Sequence, residues 1–254
     1  MEPVPQRNRT MIQFQGVSRR FNGVVALEPT DLSFEERKTT VLIGPSGCGK
    51  STILRLIIGL LEPSSGSIQF DGDIITPENL LRVRRRMGYV IQEGGLFPHL
   101  TARQNILLMA NQLGRKGPEM QGRLDELCEL TRLPNDSLSH YPGELSGGQR
   151  QRVSLIRALM LQPDVLLLDE PLAALDPMVR ATLQTELHNI FQHLNQTIVL
   201  VTHDMAEAAY LGEEIVLLRQ GGIVQKGSFA DLRDRPVDPF VSEFINAQRK
   251  LVLS

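Results

Sequence analysis

Thr39-Thr40-Val41-Leu42-Ile43-Gly44-Pro45-Ser46-Gly47-Cys48-Gly49-Lys50-Ser51-Thr52 reads as a short apolar strand, a glycine-rich turn and the start of a helix that the apolar spacing carries to Leu61. Its middle, Gly44 to Ser51, matches the pattern of a phosphate-binding loop in the strand–loop–helix setting that the chemistry requires. Glycines let successive backbone N–H groups turn toward one anion, and the helix start adds its partial positive charge. Lys50 is placed to reach the outer phosphates of a nucleotide, and the Ser51 hydroxyl to ligate Mg²⁺. Gly44, Pro45, Ser46, Gly47, Cys48, Gly49, Lys50, Ser51 and Thr52 are therefore the candidate nucleotide-binding residues. Cys48 reads as a small side chain filling a loop whose backbone does the binding, rather than as a catalytic thiol.

Downstream, Val165-Leu166-Leu167-Leu168-Asp169-Glu170 is an apolar strand ending in two acids, which places the carboxylates at the edge where an open α/β sheet holds its ligand. Asp169 is the candidate to hold Mg²⁺, directly or through water, and Glu170, one residue on, to orient or deprotonate an attacking water. Other expected strands are Met11 to Val17, Val24 to Phe34, Ser67 to Phe70, Tyr89 to Ile91, Thr197 to Val201 and a pair around Gly221-Gly222. Helical spacing covers Ala102 to Leu113, Glu119 to Leu130, Gly148 to Leu161, Pro177 to Leu194 and Met205 to Leu211. The fold class is α/β. The expected form is a single unit over 1–254, with a three-layer nucleotide-binding core over about 1–95 and 162–254, an antiparallel β portion, and an inserted helical subdomain over about 96–161.

Composition bounds the function. The chain has 254 residues, 41% hydrophobic and 22% charged, enough for one sizeable core. A net charge of -2 and a pI near 6.2 give no basic field for nucleic acid, and Arg84-Arg85-Arg86 reads as a solvated helix face. Two distant cysteines, Cys48 and Cys128, suggest neither a disulfide framework nor a zinc site. Met1 to Thr10 lacks the apolar run of a secretory signal and reads as a frayed end. No run approaches the roughly 20 apolar residues needed to span a bilayer, so a membrane role would go through a partner.

Leu145-Ser146-Gly147-Gly148-Gln149 narrows the field. It is identical to the signature motif of ABC ATPases, and the chain resembles that family from about Ile12 to Gly227. A hydroxyl and two glycines before a helix face an anion; in a chain that already has one phosphate cradle, a second is explained if it serves the nucleotide of another subunit. The resemblance implies ATP and Mg²⁺ as ligands and a head-to-tail homodimer in which Ser146, Gly147, Gly148, Gln149 and Asp176 act in trans. It implies that Phe21 stacks on adenine, that Gln92 ligates Mg²⁺ and reports to a membrane subunit, that Ala173-Ala174-Leu175-Asp176 links the two sites, and that His203 contacts the γ-phosphate. Lys50, Gln92, Glu170 and His203 are then the catalytic set, and Ser51, Gln92 and Asp169 the metal set.

Gly95-Leu96-Phe97-Pro98-His99-Leu100-Thr101 and the tail around Pro239-Phe240-Val241-Ser242-Glu243-Phe244 look most like importer ATPases for glycine betaine, choline and carnitine. This similarity implies permease subunits and a solute-binding protein as partners, and a peripheral place on the cytoplasmic face of the cell membrane. Amino-acid or other small-solute importers carry similar stretches and remain an alternative. The chain ends soon after Phe244, which leaves no room for a C-terminal regulatory domain. Leu96 and Phe97 stand open between a docking surface and burial. Chromosome-maintenance ATPases would show long heptads, ribosome-acting relatives two cassettes, and a non-hydrolysing switch would lack Glu170 or His203.

Overall fold

The computed structural model describes residues 9–92, 94–173 and 175–252. Nearly all of the expected frayed start, and Ala174 of the aspartate loop, lie outside the described residues. Strands β1 (Thr10–Phe21) and β2 (Val24–Glu35) form a hairpin whose two turn residues, Asn22 and Gly23, take positive φ, the conformation that suits a tight turn between right-twisted strands. Strand β3 (Thr39–Ile43) leads through the glycine loop into α1 (Lys50–Ile57). Then come β4 (Ser65–Phe70), β5 (Asp73–Ile74), α2 (Leu80–Arg85) and β6 (Met87–Val90). Helices α3 (Ala102–Gln112) and α4 (Pro118–Leu130), two 3-10 turns and α5 (Gly147–Leu159) make the helical stretch. Strand β7 (Val165–Asp169), α6 (Pro177–His193), β8 (Thr197–Val201) and α7 (Met205–Leu211) resume the alternation, and the hairpin β9 (Glu214–Arg219) and β10 (Gly222–Gly227) is followed by α8 (Phe229–Asp234) and α9 (Pro239–Val252).

The central sheet runs β10-β9-β3-β8-β7-β6, parallel from β9 to β6 with β10 antiparallel at the edge, and β2-β1-β4-β5 form a separate antiparallel sheet. Every residue of β3, β7 and β8 is buried, as a parallel sheet covered on both faces requires. Alternate side chains serve two cores. Val41, Ile43, Leu166, Leu168, Ile198 and Leu200 meet residues of α3 to α9, among them Ile106, Leu124, Ile156 and Leu187. Leu42, Val165, Leu167, Val199 and Val201 meet Ile53, Leu54 and Ile57 of α1 and the aromatic side chains Phe14, Phe34 and Phe70 of the antiparallel sheet. Each of these aliphatic side chains contributes about 1.5–3 kcal/mol by burial.

Several expectations are corrected. Helix α1 stops at Ile57, not Leu61: Gly59 takes φ 69, and the N–H groups of Leu60 and Leu61 both donate to the Arg55 carbonyl, closing the helix with a left-handed glycine. Helix α5 starts at Gly147, one residue before the expected Gly148. The short elements β5, α2 and α8 carry too few periodic residues to be read from sequence, while α9, whose Phe240, Val241, Phe244 and Ile245 recur at helical spacing and pack on the core, is absent from the expected helices. The arginine run is not simply solvated. Arg84 donates to the Ile58 and Gly59 carbonyls at 2.9 and 2.8 Å, and Arg86 pairs with Asp71 and Asp164 and lies 4.8 Å from the Phe70 ring centroid. Both guanidiniums fasten α2 and its exit to neighbouring elements.

Candidate functional site

The register of the parallel strands builds the site. Leu42 lies beside Val201, Val201 beside Asp169, and Leu168 beside Val90. The loops that leave β3, β8, β7 and β6 therefore share one carboxyl edge, and they carry Gly44–Ser51, His203, Glu170 and Gln92 respectively.

In the glycine loop, a Cβ on Gly44 would come within 2.2 Å of the Leu218 carbonyl oxygen and 2.8 Å of Cys48 Sγ, and one on Gly49 within 2.7 Å of the Ala26 carbonyl oxygen. Both have positive φ, 151 and 108, so only glycine fits without strain. Pro45, Ser46 and Gly47 are exposed and turn outward. Lys50 is buried, and its Nζ donates to the carbonyls of Gly44 at 2.8 Å and Pro45 at 3.0 Å. The ammonium is thus held inside the loop, with carbonyl oxygens where an anion's oxygens would compete. Cys48 is buried 3.9 Å from Lys50 Nζ, and burial pushes its thiol above the ordinary range against the pull of that charge, which describes an unreactive filler. Thr52 is half-buried in the first turn of α1. Phe21 is 40% exposed at the end of β1, paired with Val24 two residues before the Ala26 that backs Gly49, and the Arg19 guanidinium sits 4.6 Å from its ring centroid.

Ser51 Oγ donates to Asp169 Oδ1 at 2.9 Å, joining the ends of two elements far apart in sequence. Asp169 is buried, and Tyr89 Oη contacts its second oxygen at 3.4 Å. Burial raises the Asp169 carboxyl above the usual range, opposed by the Ser51 hydroxyl and the Arg55 charge. Burial first, and then the Asp169 charge, push the Tyr89 hydroxyl up to about 12. A hydroxyl and a carboxylate at this spacing are hard oxygen donors that fit Mg²⁺. Glu170 leaves the strand with φ 48, its N–H donating to the Val201 carbonyl. A non-glycine residue in this region costs about 1–3 kcal/mol; here it turns the side chain away from Asp169, so that Oε2 lies 3.4 Å from Nδ1 of the exposed His203.

Gln92 is exposed two residues beyond β6. The loop after it is fastened to α5: Ser154 donates to the Gly94 carbonyl at 2.9 Å, and Arg157 to the Gly94 and Gly95 carbonyls at 2.8 Å each. Fully buried Asn105 accepts from Phe97 N–H and donates to the carbonyls of Phe97, Leu100 and Thr101. Leu96 packs partly into the core while Phe97 stays 45% exposed, so the two open readings divide between these neighbours. Arg157, Ser154 and Tyr89 escape a sequence reading because each acts through a contact distant in the chain, and Asn105 because its partners are backbone groups of the irregular loop just before it.

Ser146 caps α5. Its hydroxyl accepts from Gln149 N–H at 3.2 Å, and the Gln149 side chain accepts from Ser146 N–H and donates to Ser137. Gln149, expected to face a ligand in trans, thus has its side chain occupied within its own lobe; Ser146 is exposed at the helix start, Gly147 half-buried and Gly148 buried. Asp176 caps α6, accepting from Val179 N–H at 3.0 Å. A Cβ on Gly147 or Gly148 would lie 3.1 Å from Leu175 or Val179, so the structure brings the signature and the Asp176 loop together. Among the described residues, no hydrogen bond joins Ser146–Gln149 to Gly44–Ser51.

A family model described as ABC transporter matches residues 27–173. The chain is 43% identical over 240 residues to the glycine betaine/carnitine/choline transport ATP-binding protein of Bacillus subtilis (strain 168), across 94% of this chain and 63% of that one. It is 45% identical over 234 residues to the glycine betaine uptake system ATP-binding protein of Escherichia coli (strain K12), across 92% and 76%. It is 43% identical over 242 residues to the sulfate/thiosulfate import ATP-binding protein of Synechococcus elongatus, across 95% and 70%. The chain thus spans less than two thirds of the first relative's length. Among solved structures, an ATP-binding cassette in a dimeric, post-hydrolysis state bound to ADP and Pi is similar with TM-score 0.76 and 31% identity, across 86% of this chain and 98% of that one.

Proposed function

The chain belongs to the ABC transporter family, and from that premise we propose that it is the ATP-binding and ATP-hydrolysing subunit of an importer of quaternary-amine osmoprotectants. The observation that carries the ATP-hydrolysing part of this reading is the pairing of two contacts on one sheet edge, Ser51 with Asp169 and Glu170 with His203, beside a loop that only glycine can form. In this reading Lys50 exchanges its loop carbonyls for phosphate oxygens, and the N–H groups of the loop hold the rest of the phosphate chain. Phe21 stacks on the base, with Arg19 behind the ring. Ser51, Asp169 and Gln92 would hold Mg²⁺, which would supply neutralisation of charge on the outer phosphates. Glu170 accepts a proton from the attacking water, and His203, which Glu170 orients, stabilises the charge on the terminal phosphate.

In this reading Ser146, Gly147 and Gly148, which make no hydrogen bond to their own chain's loop among the described residues, serve the loop of a second copy, and Asp176, beside them, serves the same partner. The remaining partners are permease subunits and a solute-binding protein, with no nucleic acid. Among the described residues no helix is long and apolar enough to cross a membrane, which fits a peripheral subunit on the cytoplasmic face. The cargo reading rests on the glycine betaine, choline and carnitine relatives. The sulfate/thiosulfate relative, equally identical over as much of the chain, favours a second reading, an importer of another small solute.

The test is ATP hydrolysis by the complex with its membrane partners in vesicles, while quaternary amines, amino acids and sulfate are offered in turn. Stimulation by a quaternary amine, lost in Glu170→Gln with nucleotide binding retained, is the expected outcome. Stimulation by sulfate alone would remove the cargo, and undiminished turnover in Glu170→Gln would remove the mechanism.

A further inference from the structure

Glu207 is a buried carboxylate with no part in the chemistry above. It stands on α7, and its Oε2 accepts from Thr202 Oγ1 at 2.6 Å. The same Thr202 hydroxyl accepts from Asp204 N–H at 3.0 Å, and Thr202 N–H donates to the Leu42 carbonyl, next to the end of β3. Asp204 in turn caps α7, accepting from the N–H groups of Ala206 and Glu207 at 2.7 and 3.2 Å. Both neighbours of His203 are therefore fixed by hydrogen bonds, while its own ring is half exposed and reaches Glu170.

Burying a carboxylate on a helix that Asp204 already caps is not what stability alone favours. Burial raises the Glu207 carboxyl above its usual range, with the Thr202 hydroxyl and the Arg180 and His203 charges opposing this and Asp204 adding to it. What the carboxylate provides is a strong acceptor that leaves the Thr202 hydroxyl one orientation, with its proton on Glu207 and its lone pair on Asp204 N–H. The turn that carries His203 then has one geometry.

We propose that Glu207 and Thr202 are positioning residues that hold the His203 ring within reach of Glu170 and of the phosphate it serves. This rests on the ATPase reading above. Both side chains are buried and bonded to each other, so their loss is expected in kcat and not in nucleotide affinity; displacements of this kind cost on the order of 10- to 100-fold in rate.

The experiment uses the full chain with two readouts. In the first, the His203 ring resonances are followed by NMR without nucleotide: Thr202→Val is expected to displace them in the way Glu170→Gln does, and Thr202→Ser to leave them near the wild-type position. In the second, ATPase kinetics of the assembled complex are expected to show a kcat about 10- to 100-fold lower in Thr202→Val with KM within about twofold, restored by Thr202→Ser. Glu207→Met is expected to lower kcat in the same direction, and the double variant to lose no more than Thr202→Val, because Thr202→Val already removes the one bond that Glu207→Met breaks. This second route also serves if Thr202→Val does not fold. A wild-type kcat in Thr202→Val, or a Thr202→Ser as slow as Thr202→Val, overturns the proposal. If the wild-type complex hydrolyses nothing while the ring still shifts, the ATPase reading fails and the positioning role stands.

Discussion

A methyl group on Gly49 would sit 2.7 Å from the Ala26 carbonyl oxygen, at a φ of 108 that L-residues resist. That oxygen belongs to the hairpin backbone and has no flexible end to move, so the loop must shift instead. Gly49→Ala is therefore expected to lower nucleotide affinity about tenfold or more, the equivalent of about 1.4 kcal/mol, in a titration with fluorescent ATP analogue. Gly47→Ala, with positive φ but open space around the same position, is expected to have the smaller effect; equal losses would mean that φ alone matters. The same residue scale explains Glu170. Its left-handed φ separates its direction from that of Asp169, so two adjacent acids serve two places.

At the scale of elements, α1 and α5 differ in how their starts are made. Helix α1 begins on glycine with no side-chain cap, leaving its first N–H groups to the loop, whereas α5 is closed by the reciprocal Ser146 and Gln149 bonds. The loop from Gly94 to Thr101 has no regular structure of its own and takes its shape from α3 and α5 through Asn105, Ser154 and Arg157. Asn105 is at 0% exposure and bonds to four backbone groups. Asn105→Leu is expected to destabilise the chain by about 2–4 kcal/mol, because buried polar groups lose their partners, in denaturant unfolding. A shift below about 0.5 kcal/mol would show that water replaces the amide.

At the scale of the whole molecule, one sheet edge gathers four loops, and among the described residues no hydrogen bond joins the start of α5 to the glycine loop. If the site is completed by a second copy, a chain with Lys50→Ala and a chain with Ser146→Arg should each be inactive alone. Mixed, they should regain hydrolysis, because the intact loop of one meets the intact signature of the other. Activity absent from the mixture, with dimers present by sedimentation, would contradict the divided site.

What the sequence determined by itself was whatever depends on local spacing. The glycine loop between strand and helix, the apolar strand ending in Asp169-Glu170 and the α/β rhythm are all patterns of a few adjacent residues, and backbone geometry reads them directly. Only the tertiary structure decided what depends on meeting across the chain. Strand register put Glu170 beside His203 and Ser51 beside Asp169. Packing made Arg84 and Arg86 fasteners instead of a solvated face, turned the Gln149 side chain inward, and buried Glu207 under Thr202. A side chain's partner is set by which strands pair and which helix faces cover them, and neither the residue nor its neighbours in sequence carry that information.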